Sequence, residues 1–338
     1  MRRIALAAAV VVVLGGVMPT AGATFPGSNG RIIFRRYLNE AETRGAIFTI
    51  KPRGTRLRQV TRPRRGFVTT EPDWSPNGKW IAYHREEVET QRSRLFKIRR
   101  NGSDRKYLSG TCTGKCLGDS VPAWSPTGNR IAFQRELCSV GSNNLQAIYV
   151  MRADGTHARR VTHKSTTCAG RHPLADLAAQ WAPGGKRLAL ERVNYKREKH
   201  AVFTIRLDGT GLKRITPWRI DASRPDWSPD GRWIAVASQE QSDTRGNIVL
   251  VRPDGSARQR ITHSPGEAKW YSSSFSPNGK KITAALSPGV GEAGNADVYV
   301  MGTDGSRRRN VTSSGPWEGT PDWGPRRKSQ EESPRHPL

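Results

Sequence analysis

Acidic residues are scarce in this chain of 338: 29 Asp and Glu stand against 56 Lys and Arg, a formal net charge of +27. Such a balance excludes a surface that repels polyanions and favours one that attracts acidic polymers or anionic lipid headgroups. Long apolar runs are nearly absent. The one present, Ile4 to Val17, follows Arg2 and Arg3 and is followed by Ala21-Gly22-Ala23. It is shorter than the roughly 20 residues a membrane helix needs, and the small-x-small triplet reads as a cleavage site. Residues 1–23 are therefore expected to be a secretory signal peptide, with no transmembrane segment left after its removal. No G-x-S-x-G nucleophile motif occurs, and no spacing of carboxylates or histidines specifies catalysis. Catalytic residues, metal and cofactor are accordingly all expected to be none.

Cysteine is rare as well: Cys112, Cys116, Cys138 and Cys168. In an exported chain these are expected as disulfides. Cys112 would pair with Cys116 inside one loop, and Cys138 with Cys168 inside one repeat. Zinc held by C-x-x-x-C is the rival reading.

What the chain does have is repetition. Arg224 to Val236 reads R-P-D-W-S-P-D-G-R-W-I-A-V. Pro229 presets φ, Asp230 suits the next corner and Gly231 takes positive φ, so Ser228 to Gly231 is a tight turn between two short strands. Related phrases start at Pro72, Pro122, Ala179 and Ser273, and their turn glycines are Gly78, Gly128, Gly185, Gly231 and Gly279. A second phrase alternates with the first, as in I-Y-V-M-R-A-D-G-T-H-A-R-R-V-T from Ile148: an apolar strand, a glycine turn, and a basic strand ending in Thr or Ser. Asp154, Asp208, Asp254 and Asp304 before the second turn are read as turn chemistry rather than calcium ligands.

Each period supplies four strands, A to D, which is one propeller blade. The N-terminal strand around Arg31 to Phe34 is a strand B without a strand A, and Pro321-Asp322-Trp323 is a strand A without a strand B. Together they make one blade and close the ring, removing free sheet edges. The expectation is an all-β, six-bladed propeller of four-stranded antiparallel blades over residues 24–325, followed by a disordered polar tail at 326–338.

The two phrases in register resemble the TolB-type, WD40-like propeller repeat, over nearly all of residues 27–325. The resemblance implies a propeller alone, without the N-terminal domain that precedes the propeller in TolB, so a Tol–Pal role is not carried over.

In such a blade the A–B and C–D turns open on one face, and the long B–C and D–A loops on the other. Variable loops on a rigid scaffold are where binding usually sits. Trp218, Trp270, Tyr271, Trp317 and Glu318 lie in loops between blades and are not explained by the repeat, so this sector is the expected partner site. Arg224 and His172 share its face. The main expectation is an exported, non-catalytic, monomeric binding scaffold of the periplasm, cell envelope or secreted space, taking a protein or glycan at the loop face. Two alternatives stand beside it. One is a propeller enzyme such as a polysaccharide lyase or quinone-dependent dehydrogenase. The other is a binder of anionic envelope polymers through the basic turn face, without specific nucleic-acid recognition.

Overall fold

The computed structural model describes residues 27–113, 116–140, 143–163, 174–239, 246–288 and 295–326. The expected signal peptide, and all of the expected tail except Arg326, lie outside these residues.

The S-P-x-G turn forms because its side chains satisfy its own backbone. The Ser228 hydroxyl donates to Asp230 Oδ1 at 2.7 Å and accepts from the Trp233 amide at 2.8 Å. Asp230 Oδ1 also accepts from the Arg232 amide, and Gly231 sits at φ +67°. The terminal Thr or Ser of the second phrase has an equally local cause. Its hydroxyl accepts an amide from within strand C: Thr162 from Ile148 at 3.0 Å, Thr216 from Val202 at 2.8 Å, and Ser109 from Leu95 at 2.8 Å. Thr61, Thr262 and Thr312 do the same in the other repeats. This cross-strand clasp satisfies a buried donor, which is why a hydroxyl closes each basic strand.

Strands pair antiparallel in the order A-B-C-D within each repeat. Blade 2 runs Phe67–Trp74, Trp80–Glu87, Arg92–Arg99 and Lys106–Tyr107. Blades 3 to 6 begin at Gly118, Leu174, Ala222 and Lys269 and follow the same pattern. Blade 1 is assembled from both ends of the fold. Its strand A is Glu318–Pro325, paired with Asn29–Tyr37, which then pairs with Gly45–Ile50. A single parallel bridge, Gly45 to Val68, links blades 1 and 2. The expected all-β propeller and its closing strand are thus observed.

Blades stack through the strand A tryptophans. Trp74, Trp124, Trp181, Trp227 and Trp323 are all buried, at 1 to 5 % exposure. The C–D turn glycines lie against a backbone carbonyl of the preceding blade, where a Cβ would have no room: one at Gly102 would sit 2.7 Å from Val60 O and one at Gly209 2.8 Å from Val161 O. Gly54 of blade 1 meets Val311 O of blade 6, so this contact runs unbroken around the ring.

Charge is sorted between the faces. Each outer strand carries an exposed cation at the turn-face end: Arg58, Lys106, Arg159, Lys213, Arg258 and Arg309. The acids there are turn aspartates tied to their own turns, as in Asp154, whose Oδ1 accepts from the Thr156 amide and hydroxyl.

Candidate functional site at the loop face

Every strand A carries a bulge three residues before its repeat aromatic, which is Phe275 in blade 6 and Trp in the others. The bulge residues Glu71, Val121, Ala178, Arg224, Ser272 and Thr320 all hold positive φ, between 45° and 52°. Left-handed geometry is costly for residues with a Cβ and persists where the surrounding structure enforces it. Bulges re-aim side chains, and here they turn toward the propeller axis. Glu71 and Arg224, from the opposed blades 2 and 5, meet across it: Arg224 Nη1 donates to Glu71 Oε1 at 2.8 Å.

The pair is embedded in a network. Burial pushes the Glu71 carboxyl up, but the Arg224 charge and hydrogen bond outweigh it and hold Glu71 below the usual range. The Arg224 guanidinium is correspondingly raised. The Arg224 amide donates to Glu191 Oε2, whose other oxygen meets His200 Nδ1 at 2.6 Å. His84 is pushed down to about 4, chiefly by burial, and as the neutral imidazole it accepts the Val121 amide through Nδ1.

Below this closure lies an axial cavity of about 60 Å³ lined by Asp73, Asp226 and Asp322 among others. These aspartates also join blades. Asp322 accepts the Trp74 amide at 2.8 Å, Asp73 the Trp124 amide at 2.7 Å, and Asp226 the Phe275 amide at 2.7 Å. Burial raises all three carboxyls, Asp322 to about 6, and the Asp322 charge pushes Asp73 further. The native state therefore holds protons that the unfolded chain releases. Between the ordinary carboxyl range and about pH 6, stability from these groups rises as pH falls. The expected result is that Asp322→Asn gains stability relative to wild type at neutral pH, on the order of 1–2 kcal/mol more than at pH 4.5. Denaturant unfolding of both proteins across that window checks it; a pH-independent difference contradicts it.

The larger opening lies off axis, on the loop face between blades 6 and 1. It is a cavity of about 730 Å³ lined by Tyr37, Leu38, Phe48, Pro316 and Trp317, with Arg36, Glu40 and Glu42 also on its wall. The B–C loop of blade 1 and the D–A loop entering it supply most of this lining. Arg36 pairs with the fully buried Glu318, which also accepts the Ser314 hydroxyl at 2.9 Å. The Glu318 carboxyl is raised above its usual range by burial. The Tyr271 hydroxyl donates to Glu318 O at 2.9 Å, and its phenol is pushed up to about 12 by burial.

The structure thus brings Tyr271, Trp317 and Glu318 together, and places Arg224 at the axis. It separates the other two tryptophans from them. Trp270 is 2 % exposed and packs edge-on against Tyr299 at 5.1 Å. The exposed anchoring position expected for it is corrected: strand A of blade 6 starts at Lys269, earlier than the repeat phrase, and pairing of Trp270 with Leu286 turns its ring into the core. Its inner wall borders a cavity of about 190 Å³ with His200 and Asp221. Trp218, half-buried in the 3-10 turn Trp218–Ile220, meets Phe203 edge-on at 6.0 Å. It packs over its own blade seam rather than beside Trp317.

His172 and Cys168 lie outside the described residues. Cys112 and Cys116 form a disulfide with Cα atoms 5.2 Å apart, and Cys138 is disulfide-bonded as well. The pairing of Cys112 with Cys116 is the one expected. Sequence reasoning missed the Glu71–Arg224 closure and the seam role of Tyr37, Leu38 and Phe48. The only signal was the residue two places before each Asp-Trp, where one repeat carries Glu and another Arg.

Comparison with known proteins places this geometry. The family model described as the TolB beta propeller domain matches residues 168–330. A Tol-Pal system protein TolB of Anaeromyxobacter dehalogenans is 28% identical over 184 residues, 52% of this chain and 37% of that protein. Protein Atu1656 of Agrobacterium fabrum is 26% identical over 213 residues, 62% of this chain and 63% of its own length. The chain thus spans less than two thirds of these curated relatives. Among solved structures, TolB from Acinetobacter baumannii superposes with a TM-score of 0.68 at 22% identity, covering 89% of this chain and 68% of that one. Oligogalacturonate lyase from Vibrio parahaemolyticus gives 0.56 at 11% identity, with coverages of 86% and 77%. At these identities the structural matches speak to fold alone.

Proposed function

Starting from a chain that is a TolB-type β-propeller, we propose that it is an exported, non-catalytic binding scaffold whose partner docks on the loop face and anchors in the cavity between blades 6 and 1. The cavity is the observation that carries this reading. At about 730 Å³ it falls within the roughly 300–1,000 Å³ of ordinary ligand sites, and its wall sets the apolar and aromatic Tyr37, Leu38, Phe48, Pro316 and Trp317 among polar and charged groups. Its aromatic groups, Tyr37 and Trp317, are of the kind that dominate recognition hot spots. Glu40 and Glu42 on the wall favour a segment that brings a positive charge alongside an apolar side chain. A protein segment fits this better than a neutral glycan.

The disulfides support an oxidising, extracytoplasmic setting. At the axis, the Arg224 guanidinium is held by Glu71 while Glu191 fixes its backbone amide, so the arginine a lyase would use to neutralise a substrate carboxylate is already engaged by a carboxylate of the protein. That favours the scaffold over the enzyme reading.

The test is capture of binding proteins from envelope extract by the mature chain, with Tyr37→Ala/Trp317→Ala beside it. Loss of a hot-spot aromatic costs about 2 kcal/mol or more of binding, so the variant is expected to lose the captured partner at unchanged melting temperature. Capture that survives the double substitution, or is removed equally by Trp218→Ala, rejects the seam cavity as the anchor.

A further inference from the structure

The turn face carries a pattern that the loop-face reading does not use. Each A–B turn is followed by a cation, Arg31, Lys79, Arg130, Lys186, Arg232 and Lys280, all exposed except the half-buried Arg31. With the outer-strand cations, they surround the whole disc rather than lining one groove. No glutamate among the described residues lies in these turns, and the aspartates that do are engaged by their own turns, as at Asp208 and Asp254. The potential is felt by the residues themselves. Arg31 is pulled below its ordinary range, first by burial and then by Arg100, Arg58 and Arg56.

A second feature is apolar. Leu57 and Leu212 are 44 and 39 % exposed, among the few large hydrophobic side chains left in solvent. They occupy the same repeat position, one residue before the outer strands that begin at Arg58 and Lys213. They belong to blades 1 and 4, on opposite sides of the ring. Basic residues follow both.

We propose that the turn face docks flat on an anionic lipid bilayer, with Leu57 and Leu212 entering the interface at opposite edges of the disc. Two anchors at opposite edges of a ring fix one diameter against a surface, and the ring of cations around them complements a charged plane. A rod-like polyanion would engage only one stripe of it. Each cation near an anionic surface strengthens binding roughly fivefold, and partly inserted apolar side chains add area-dependent affinity that salt does not screen. In this orientation the loop face points away from the bilayer and stays open to a partner, so the inference is independent of the seam cavity.

The test is co-sedimentation of the mature chain with phosphatidylcholine vesicles with and without phosphatidylglycerol, and titration with single-stranded DNA as a soluble polyanion. Of the two vesicle types only the anionic one is expected to bind, and Lys280→Glu/Lys281→Glu is expected to weaken that binding at least about tenfold. Leu57→Ser/Leu212→Ser is expected to weaken vesicle binding several-fold while leaving DNA binding unchanged. Both variants change exposed residues, and an unaltered melting temperature confirms that they fold. Absence of binding to anionic vesicles overturns the proposal. So does a leucine variant that binds them as wild type does; tight DNA binding alongside it would identify a soluble polyanion as the ligand.

Discussion

Deletion of residues 316–338 is expected to abolish cooperative folding. The lost segment contains Glu318–Pro325, strand A of blade 1, which pairs with Asn29–Tyr37. Its loss removes Trp323, 2 % exposed, and truncating such a buried aromatic alone costs about 3–5 kcal/mol. The Asp322 acceptor for the Trp74 amide goes with it, as does Glu318, the partner of Arg36. An edge strand would open on blade 1. Together these exceed a large share of the about 5–15 kcal/mol that separates a folded domain from its unfolded state. The expected product is insoluble, or shows no sigmoidal thermal transition. Trp323→Ala keeps the strand and is expected to fold with a lowered melting temperature. A truncated protein that melts as wild type does would show that the ring does not depend on its closing strand.

The second large effect concerns a buried ion pair. Asp176, with its side chain fully buried, accepts from Arg192 Nε at 2.6 Å and Nη2 at 3.0 Å. The two face each other across strands A and B of blade 4. Blade 3 repeats the arrangement with Asp119 and Arg135, at 2.6 and 2.9 Å. Removing one partner of a buried pair strands the other charge, at about 3–5 kcal/mol. Asp176→Ala is therefore expected to lower unfolding free energy by that amount. Asp176→Leu/Arg192→Met replaces both charges with apolar groups and is expected to recover most of the loss. Denaturant unfolding of the three proteins checks this. A single variant within about 0.5 kcal/mol of wild type, the usual range for surface substitutions, would show that the pair contributes little.

The roles proposed for the loop face and the turn face place different demands on the same fold. A binding scaffold needs variable loops held rigidly, and the clasp from each strand D hydroxyl to strand C supplies that rigidity from within the blade. Docking of a membrane needs a flat, charged surface, and short turns supply that. The basic residues that the turn pattern tolerates are therefore free to set the surface potential without disturbing the core.

The sequence by itself determined the architecture of this protein. Turn glycines, strand A tryptophans and the split first blade are local signals, each read from a few adjacent residues. Their recurrence at one period leaves little freedom in how the blades stack, which is why the closing strand was legible at both ends of the chain. The cysteine pair at 112 and 116 was legible for the same reason, since only three residues stand between the two.

Only the tertiary structure decided the site. Glu71 and Arg224 are 153 residues apart and meet because two bulges on opposed blades aim them at one axis, a geometry that no local pattern encodes. Trp270 looked like a loop anchor because the repeat phrase begins after it; strand pairing extended further and buried the ring. Tyr37, Leu38 and Phe48 looked like ordinary strand and loop residues until closure of the ring set them beside Trp317. Local propensity fixes which residues make strands and turns. Which side chains share a cavity depends on how distant strands are brought into register, and that is settled only when the last strand pairs with the first.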